Sequence, residues 1–261
     1  MSDGTSEDVL AAADQNMLSA WRGVIAGSPA PGAVEDGDVV MLSSGVPVSL
    51  FNPAFVTGRP QALAAMVTRV VDHYAELGLP FVLYFRDEIT PELVDPCAAA
   101  GLVEHFRPPL MVLDPIPPAA PVPPPTELVV APVDASNVDG YGTVLAAGFG
   151  IPRELVDLVL GPSLLDADGF TGFLGTIDGQ PVGTSGLFLA HGLAGVYNVA
   201  TVPEGRGKGV GAALTWAAAL AGGAAGATRS MLQSSEQGEP VYRRMGYTTP
   251  TRYRQFEPPS A

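Results

Sequence analysis

The chain has 261 residues, of which 47% are apolar and only 15% charged, with a formal net charge of −14. That length and apolar content suffice for two modest domains with real cores and argue against a disordered chain. The acidity argues against nucleic-acid binding, which needs a basic footprint to release counterions, and suits a cationic acceptor such as an amine, although acidity also serves plain solubility.

Lys208 is the only lysine and every other basic residue is arginine. With the abundance of Ala, Gly, Pro and Val, this points to a GC-rich bacterial coding bias. The single cysteine, Cys97, excludes an internal disulfide or a cysteine metal cluster. Its setting, Asp95-Pro96-Cys97-Ala98-Ala99-Ala100, reads as a small buried helix position. Residues 1–8 are polar and acidic, without the basic start and apolar run of a signal peptide. No stretch approaches the ~18 apolar residues of a membrane span. A cytoplasmic protein without nucleic-acid or membrane partners is expected, as a monomer or homodimer.

In chain order, the first half offers a segment at 49–52, a helix over 60–77, a strand over 80–85, a helix over 91–100 closing on Gly101, and a segment over 107–113. Residues 114–125 follow, Asp-Pro-Ile-Pro-Pro-Ala-Ala-Pro-Val-Pro-Pro-Pro. So many prolines hold the chain extended, and a semi-rigid spacer is expected. Beyond it, 127–132 reads as a strand, and 137–148 and 152–160 as helices, with Pro152 suiting a first helical position. Strands over 169–177 and 180–189 flank Asp178-Gly179, a strong hairpin-turn signal. His191-Gly192 makes a second turn, and 194–202 a third strand. A glycine-rich loop, a helix over about 210–221, a strand at 230–234, a short helix at 240–245 and a last strand at 251–256 complete the order β-α-α-β-β-β-α-β-α-β. A mixed α/β fold follows, with a mostly antiparallel sheet flanked by helices.

The first half repeats part of this plan at an offset of about 146 residues. Segment 49–52 aligns with strand residues 195–198, helix 60–77 with 210–223, and strand 80–85 with 229–233. Helix 91–100 then aligns with 240–245, and 107–113 with 251–256. The domain expectation is an N-terminal half over 1–114, a linker over 115–125 and a C-terminal domain over 126–261.

The strongest local signal is Arg206-Gly207-Lys208-Gly209-Val210-Gly211, between an apolar strand and an Ala/Leu-rich helix. Alternating glycines let a backbone turn tightly and approach a ligand. The free N–H groups of the following helix turn, together with its dipole, make an anion site, beside which Arg206 and Lys208 add charge. A diphosphate is the natural occupant. A nucleoside-triphosphate loop needs Ser or Thr after the Lys, whereas Gly209 stands there. A dinucleotide fingerprint through Gly207, Gly209 and Ala212 lacks the acidic residue about 20 positions on.

The stretch Tyr197-Asn198-Val199-Ala200-Thr201-Val202-Pro203-Glu204-Gly205-Arg206-Gly207-Lys208-Gly209-Val210-Gly211 resembles the acetyl-CoA motif of the GNAT superfamily of N-acetyltransferases, Arg/Gln-x-x-Gly-x-Gly/Ala with a proline three residues upstream. Arg206, Gly209, Gly211 and Pro203 match. Downstream, Leu232-Gln233-Ser234-Ser235 and Tyr242-Arg243-Arg244-Met245-Gly246-Tyr247 are similar to the family's closing strand and Tyr-x-x-x-Gly-Phe helix end. The resemblance covers about 130 residues. It implies a GNAT acyltransferase fold, duplicated here with a degenerate N-terminal half. It further implies a metal-free N-acetyltransferase, acetyl-CoA as cosubstrate and a small-molecule or peptide amine as acceptor.

Residue by residue, the resemblance gives Val199, Ala200 and Thr201 the pantetheine and acetyl contacts. Arg206, Gly207, Lys208, Gly209, Val210, Gly211 and Ala212 take the pyrophosphate. Tyr242 protonates the departing thiolate, and Ser235 stands where relatives carry an asparagine that contacts the pantetheine arm; a serine can make one of those bonds, not both. No general base is singled out among Glu204, His191, Asp157 and Asp166. The first half reads Gly58-Arg59-Pro60-Gln61 where the loop should recur, so it is expected not to bind CoA. Met66, Val67 and Val70 there read as core, and His73 and His105 as bystanders. The alternative function is a non-catalytic CoA or acyl-CoA sensor on the same fold, and a longer acyl donor is a further variant. Two halves with one working site also resemble the tandem acetyltransferases, mycothiol synthase among them.

Overall fold

The structure is a computed structural model that describes residues 3–88 and 91–259. Helix α1, Asp3–Ala26, comes first. Its Leu10, Ala13, Met17 and Ala20 recur at helical spacing and are buried. A hairpin follows, β1 (Gly32–Asp36) and β2 (Val39–Ser43), turning at Gly37 with φ 61°. A 3-10 turn, Ser49–Phe51, leads into β3 (Pro53–Val56), α2 (Leu63–Leu77) and β4 (Val82–Arg86). Then come a 3-10 turn, Pro91–Leu93, helix α3 (Val94–Ala99), β5 (Val103–Phe106) and β6 (Pro109–Leu113).

The second half runs β7 (Val129–Pro132), α4 (Val138–Phe149), α5 (Arg153–Leu160), β8 (Phe170–Ile177), β9 (Gln180–Ala190) and β10 (Leu193–Thr201). It closes with α6 (Val210–Ala224), β11 (Arg229–Gln233), α7 (Glu239–Arg244) and β12 (Thr248–Glu257). The element order matches the expected one. Asp178-Gly179 and His191-Gly192 both adopt positive φ, at 50° and 74° and at 52° and 73°, as two-residue hairpin turns require. Pro152 stands one place earlier than expected, as the N-cap of α5.

The strands form one sheet in the order β1-β2-β3-β4-β12-β6-β11-β10-β9-β8-β7, with β5 on β12. It is antiparallel except at two places, β3 with β4 and β10 with β11. Each parallel pair is joined through a helix, α2 in one half and α6 in the other. The repeat is therefore physical: both halves contain a β-α-β unit followed by a short helix and a closing strand. The closing strands are exchanged. β6 of the first half pairs with β11, β12 of the second pairs with β4, and the two pair with each other. Segment 49–52 departs from its expected alignment with strand residues 195–198. Ser49–Phe51 is a 3-10 turn, and the true counterpart of β10 is β3, where Pro53 pairs with Val82 as Leu193 pairs with Arg229.

Side chains alternate across the sheet as a pleat demands. On β11, Leu232 packs with Leu214 and Trp216 of α6, while Met231 packs with Leu10 and Met17 of α1. Helix α1 spans the junction: Asp14 pairs with Arg86 of β4 at 2.9 Å and accepts from the Tyr253 hydroxyl of β12, while Asn16 bonds to β9 and β10. Met66, Val67 and Val70 lie in the core under α2, and Cys97 is buried in α3, as expected.

The proline-rich segment, largely exposed, is tied to the second half at both ends. Its start is fixed by an Ile116 N–H bond to the Thr228 carbonyl at 2.9 Å and by the Asp114–Arg229 pair at 2.6 Å. Ile116 lies against Gly223 near the end of α6, and Pro125 lies over Gly209 at its start. The segment thus runs the length of the helix. Among the described residues, no helix is long and apolar enough to cross a membrane, and no three metal-ligating side chains gather.

Candidate functional site

Strand β10 pairs with β11 only over its first four residues, Leu193 to Val196. It then continues with β9 alone through a bulge between Tyr197 and Ala200, where Asn198 takes φ 54°. Thr184 Oγ1 donates to the Asn198 carbonyl at 2.8 Å and holds the bulge in place. Past the bulge the two parallel strands have parted. Val199, Ala200 and Thr201 face a cavity where a partner strand would otherwise lie.

The loop 206–211 forms the next wall. Gly207 and Gly209 have φ 74° and 80°, a left-handed conformation that costs an L side chain about 1–2 kcal/mol. Gly209 is the N-cap of α6, and the Ala213 N–H makes the first helical bond back to its carbonyl at 3.0 Å. The amides of Val210, Gly211 and Ala212 therefore have no acceptor within the helix. Arg206 Nε reaches the Thr201 carbonyl at 3.4 Å.

Tyr242 enters from α7. It is buried, and its ring meets Tyr247 edge-on at 6.0 Å between centroids. Burial raises its phenol above the ordinary tyrosine value, with the Thr215 hydroxyl pulling the other way. Ser235 begins the turn into α7, where its Oγ accepts from the Gly238 N–H at 3.2 Å.

These groups share one cavity of about 1380 Å³. Val199, Ala200, Thr201, Arg206, Gly207, Lys208, Gly209, Val210, Gly211, Ala212, Ser235 and Tyr242 all line it. Glu204, His191, Asp157 and Asp166 do not. Asp157 pairs with Arg153 at 2.7 Å, and His191 sits in its turn with Nε2 3.0 Å from Ser19 Oγ. Sequence reasoning missed Phe106 of β5, Phe149 at the end of α4, Trp216 of α6, Glu236 and Arg244, and it missed that prolines 121 and 123–125 line the same cavity. Trp216 was within reach: Gly209, Ala212, Ala213 and Trp216 are spaced i, i+3, i+4, i+7 and form one helix face.

The charge pattern is decisive in so acidic a chain. Nine of the thirteen basic side chains pair with carboxylates among the described residues. Arg206, Lys208, Arg244 and Arg59 do not, and the first three line this cavity. Arg206, Lys208 and Arg244 outnumber the one lining carboxylate, Glu236, and with a helix N-terminus opening onto a cavity that Val199, Phe106, Phe149 and Trp216 also line, they make a site for a polyanion with an apolar arm.

The family model for the acetyltransferase (GNAT) domain matches residues 168–249. Residues 168–249 form a GNAT domain. That span holds the splayed β10, the loop, α6 and Tyr242. The GNAT fold extends beyond it. A GCN5-related N-acetyltransferase from Kribbella flavida superposes with a TM-score of 0.75 over 96% of each chain, at 22% identity. One from Sphaerobacter thermophilus gives 0.63 over 87% of this chain and 84% of its own, at 16% identity. A tandem GNAT protein from the clavulanic acid biosynthesis pathway gives 0.57 over 90% and 86%, at 13% identity. No curated protein sequence matches the chain.

In the first half, the segment between β3 and α2 has none of the GNAT loop's features. No residue from 57 to 62 adopts positive φ, Pro60 lacks an N–H, and a β-carbon at Gly58 would collide with Asp38.

Proposed function

We propose that the chain transfers an acetyl group from acetyl-CoA to a primary amine of a small molecule or peptide. The observation that carries this reading is the convergence of parted strands, helix N-terminus, unpaired cations and a buried phenol on one cavity. The pyrophosphate rests on the amides of residues 207–212 beside Arg206 and Lys208, and the pantetheine arm lies along Val199, Ala200 and Thr201. A β10 amide polarises the thioester carbonyl, where negative charge develops as the amine attacks. Ser235 offers a hydroxyl to the arm.

The chemical step needs no covalent enzyme intermediate. The neutral amine nitrogen attacks the thioester carbon, the carbon–sulfur bond breaks, and the thiolate takes the Tyr242 proton. The proton lost by the new amide returns to the phenolate through solvent. A phenol raised by burial stays protonated at neutral pH, as a general acid must. The division of labour follows the two β-α-β units: residues 126–261 carry catalysis, and the loopless first half, 1–114, walls the site through Phe106 without binding CoA.

Calorimetry of acetyl-CoA binding tests the core of this reading, with Gly209→Asp beside the wild type. The substitution forces a strained loop and sets a carboxylate at the anion site. Affinity should fall about five- to thirtyfold if binding requires the loop's left-handed conformation. Wild-type binding then licenses a panel of amines read by thiol release. A wild type that binds no acetyl-CoA sinks the reading, and binding without turnover on any amine leaves a sensor.

A further inference from the structure

Residues 121–125 have a placement that the transfer reaction alone does not require. They border the same cavity as Ala212, Ala213 and Trp216, to which α7 adds Val241 and Arg244, and Met245 just after it. Further along the same helix face, Leu220 and Gly223 meet Pro115 and Ile116, so the segment follows α6 from end to end. Near the loop it closes in: Pro125 Cγ stands 3.6 Å from the β-carbon position of Gly209. Its side chains are apolar yet largely in solvent. Val122, 69% exposed, is the most exposed large apolar residue among those described. A run of stiff apolar rings left open to water, over a loop with unpaired cations, has the form of a platform for a flat, weakly polar ligand group.

We propose that this proline segment is the third wall of the acyl-CoA site and seats its adenine base, between the proline rings and the Ala212–Ala213–Trp216 face of α6. The inference rests on the acetyl-CoA reading above. Tyr242, the loop and the prolines line one cavity, so a ligand whose diphosphate sits on the loop can reach Tyr242 with one arm and the prolines with the other. The acyl arm follows the parted strands, and the nucleoside takes the proline end. Arg244, without a carboxylate partner among the described residues, lines the same cavity and offers a cation to the nucleotide's phosphates. The connection between the halves thereby becomes a binding element. Its stiffness lowers the ordering cost that a flexible loop would carry on closing over a base.

The test compares two ligands on two proteins. Acetyl-CoA and S-acetyl-phosphopantetheine share the thioester and pantetheine, and only the first carries adenosine. The variant replaces Pro123, Pro124 and Pro125 with glycine, and its fold is checked by circular dichroism. Acetyl-CoA affinity should fall about tenfold, the scale of one lost base contact, while the adenosine-free ligand stays within about twofold. Equal losses for both ligands, or no loss for either, overturn the proposal. A wild type that binds neither ligand instead overturns the acetyl-CoA reading. If the variant does not fold, the wild-type loop and linker are tested through Trp216. Trp21→Phe leaves it the sole tryptophan, and its emission should be quenched by adenosine bisphosphate. Unchanged emission at saturating acetyl-CoA would reject the adenine seat.

Discussion

The Tyr197 hydroxyl donates a 2.7 Å hydrogen bond to Asn16 Oδ1, and the amide of that asparagine donates to the carbonyls of Ala190, Phe188 and Leu193 at 2.9, 3.2 and 3.3 Å. Asn16 is wholly buried. One side chain of α1 therefore satisfies the turn between β9 and β10 and fixes the strand that later bulges and parts from β11. Asn16→Leu keeps a similar volume but strands several buried polar groups. It should cost about 3 kcal/mol, read from the urea midpoint. Tyr197→Phe, which orphans only one oxygen, should cost about 1 kcal/mol. Equal effects would mean that the helix, not this network, holds β10.

Tyr242→Phe removes the proposed acid and keeps the ring that packs on Tyr247. The turnover number should drop about 10²–10⁴-fold, with little change in the KM for acetyl-CoA. Because burial raises this phenol, the wild type should hold its activity into alkaline pH and lose it only as the phenol ionises. That alkaline limb should be missing from the residual activity of the variant. A parallel fall in binding and turnover would assign Tyr242 to packing alone.

The second half was legible because its signals are local: Asp178-Gly179 dictates a hairpin, and the loop from Arg206 dictates a helix start. The residues that the resemblance singled out there line one cavity. The first half was less legible. Helix α1 is not among the expected elements although Leu10, Ala13 and Met17 mark its buried face, because alanines around the rest of the helix dilute that stripe. The hairpin β1–β2 was likewise unread. The strand exchange between β6 and β12 could not be read at all, since no local pattern distinguishes pairing with one's own half from pairing with the other. The prolines were read by their stiffness, which is a property of the segment, and not by their neighbour, which is a property of the fold.

All seven tyrosines have phenols raised by burial. Folding thus favours the neutral form of each. Their contribution to stability is complete below the unfolded value near 10 and is lost as pH rises beyond it, where the unfolded chain releases protons that the native one keeps. Phenolate absorbance should therefore stay low in the native protein above that pH and appear together with the loss of far-ultraviolet circular dichroism. A smooth titration at constant ellipticity would show the phenols to be open to solvent.

Burial pushes the Cys97 thiol up to about 12. The thiolate is the reactive species, so the native protein should resist a disulfide reagent at neutral pH and react stoichiometrically once denatured. Rapid modification of the folded chain would place α3 among the regions that open locally.

Arg243 and Arg244 are sequence neighbours with opposite expectations. Arg243 is committed to Glu239 at 2.6 Å, whereas Arg244 lines the cavity without a carboxylate partner among the described residues. If the unpaired cations exist to hold a polyanion, Arg244→Ala and Lys208→Ala should each weaken acetyl-CoA binding by about five- to tenfold at low ionic strength. Arg243→Ala, and Arg59→Ala at the unpaired arginine outside the cavity, should leave it unchanged. The losses should shrink with added salt, because screening already removes much of the attraction between exposed charges about 10 Å apart at 0.1 M. Calorimetry of the four variants at two salt concentrations measures this directly. If all four lose affinity alike, net charge rather than placement governs binding, and the cavity's cations have no special part in it.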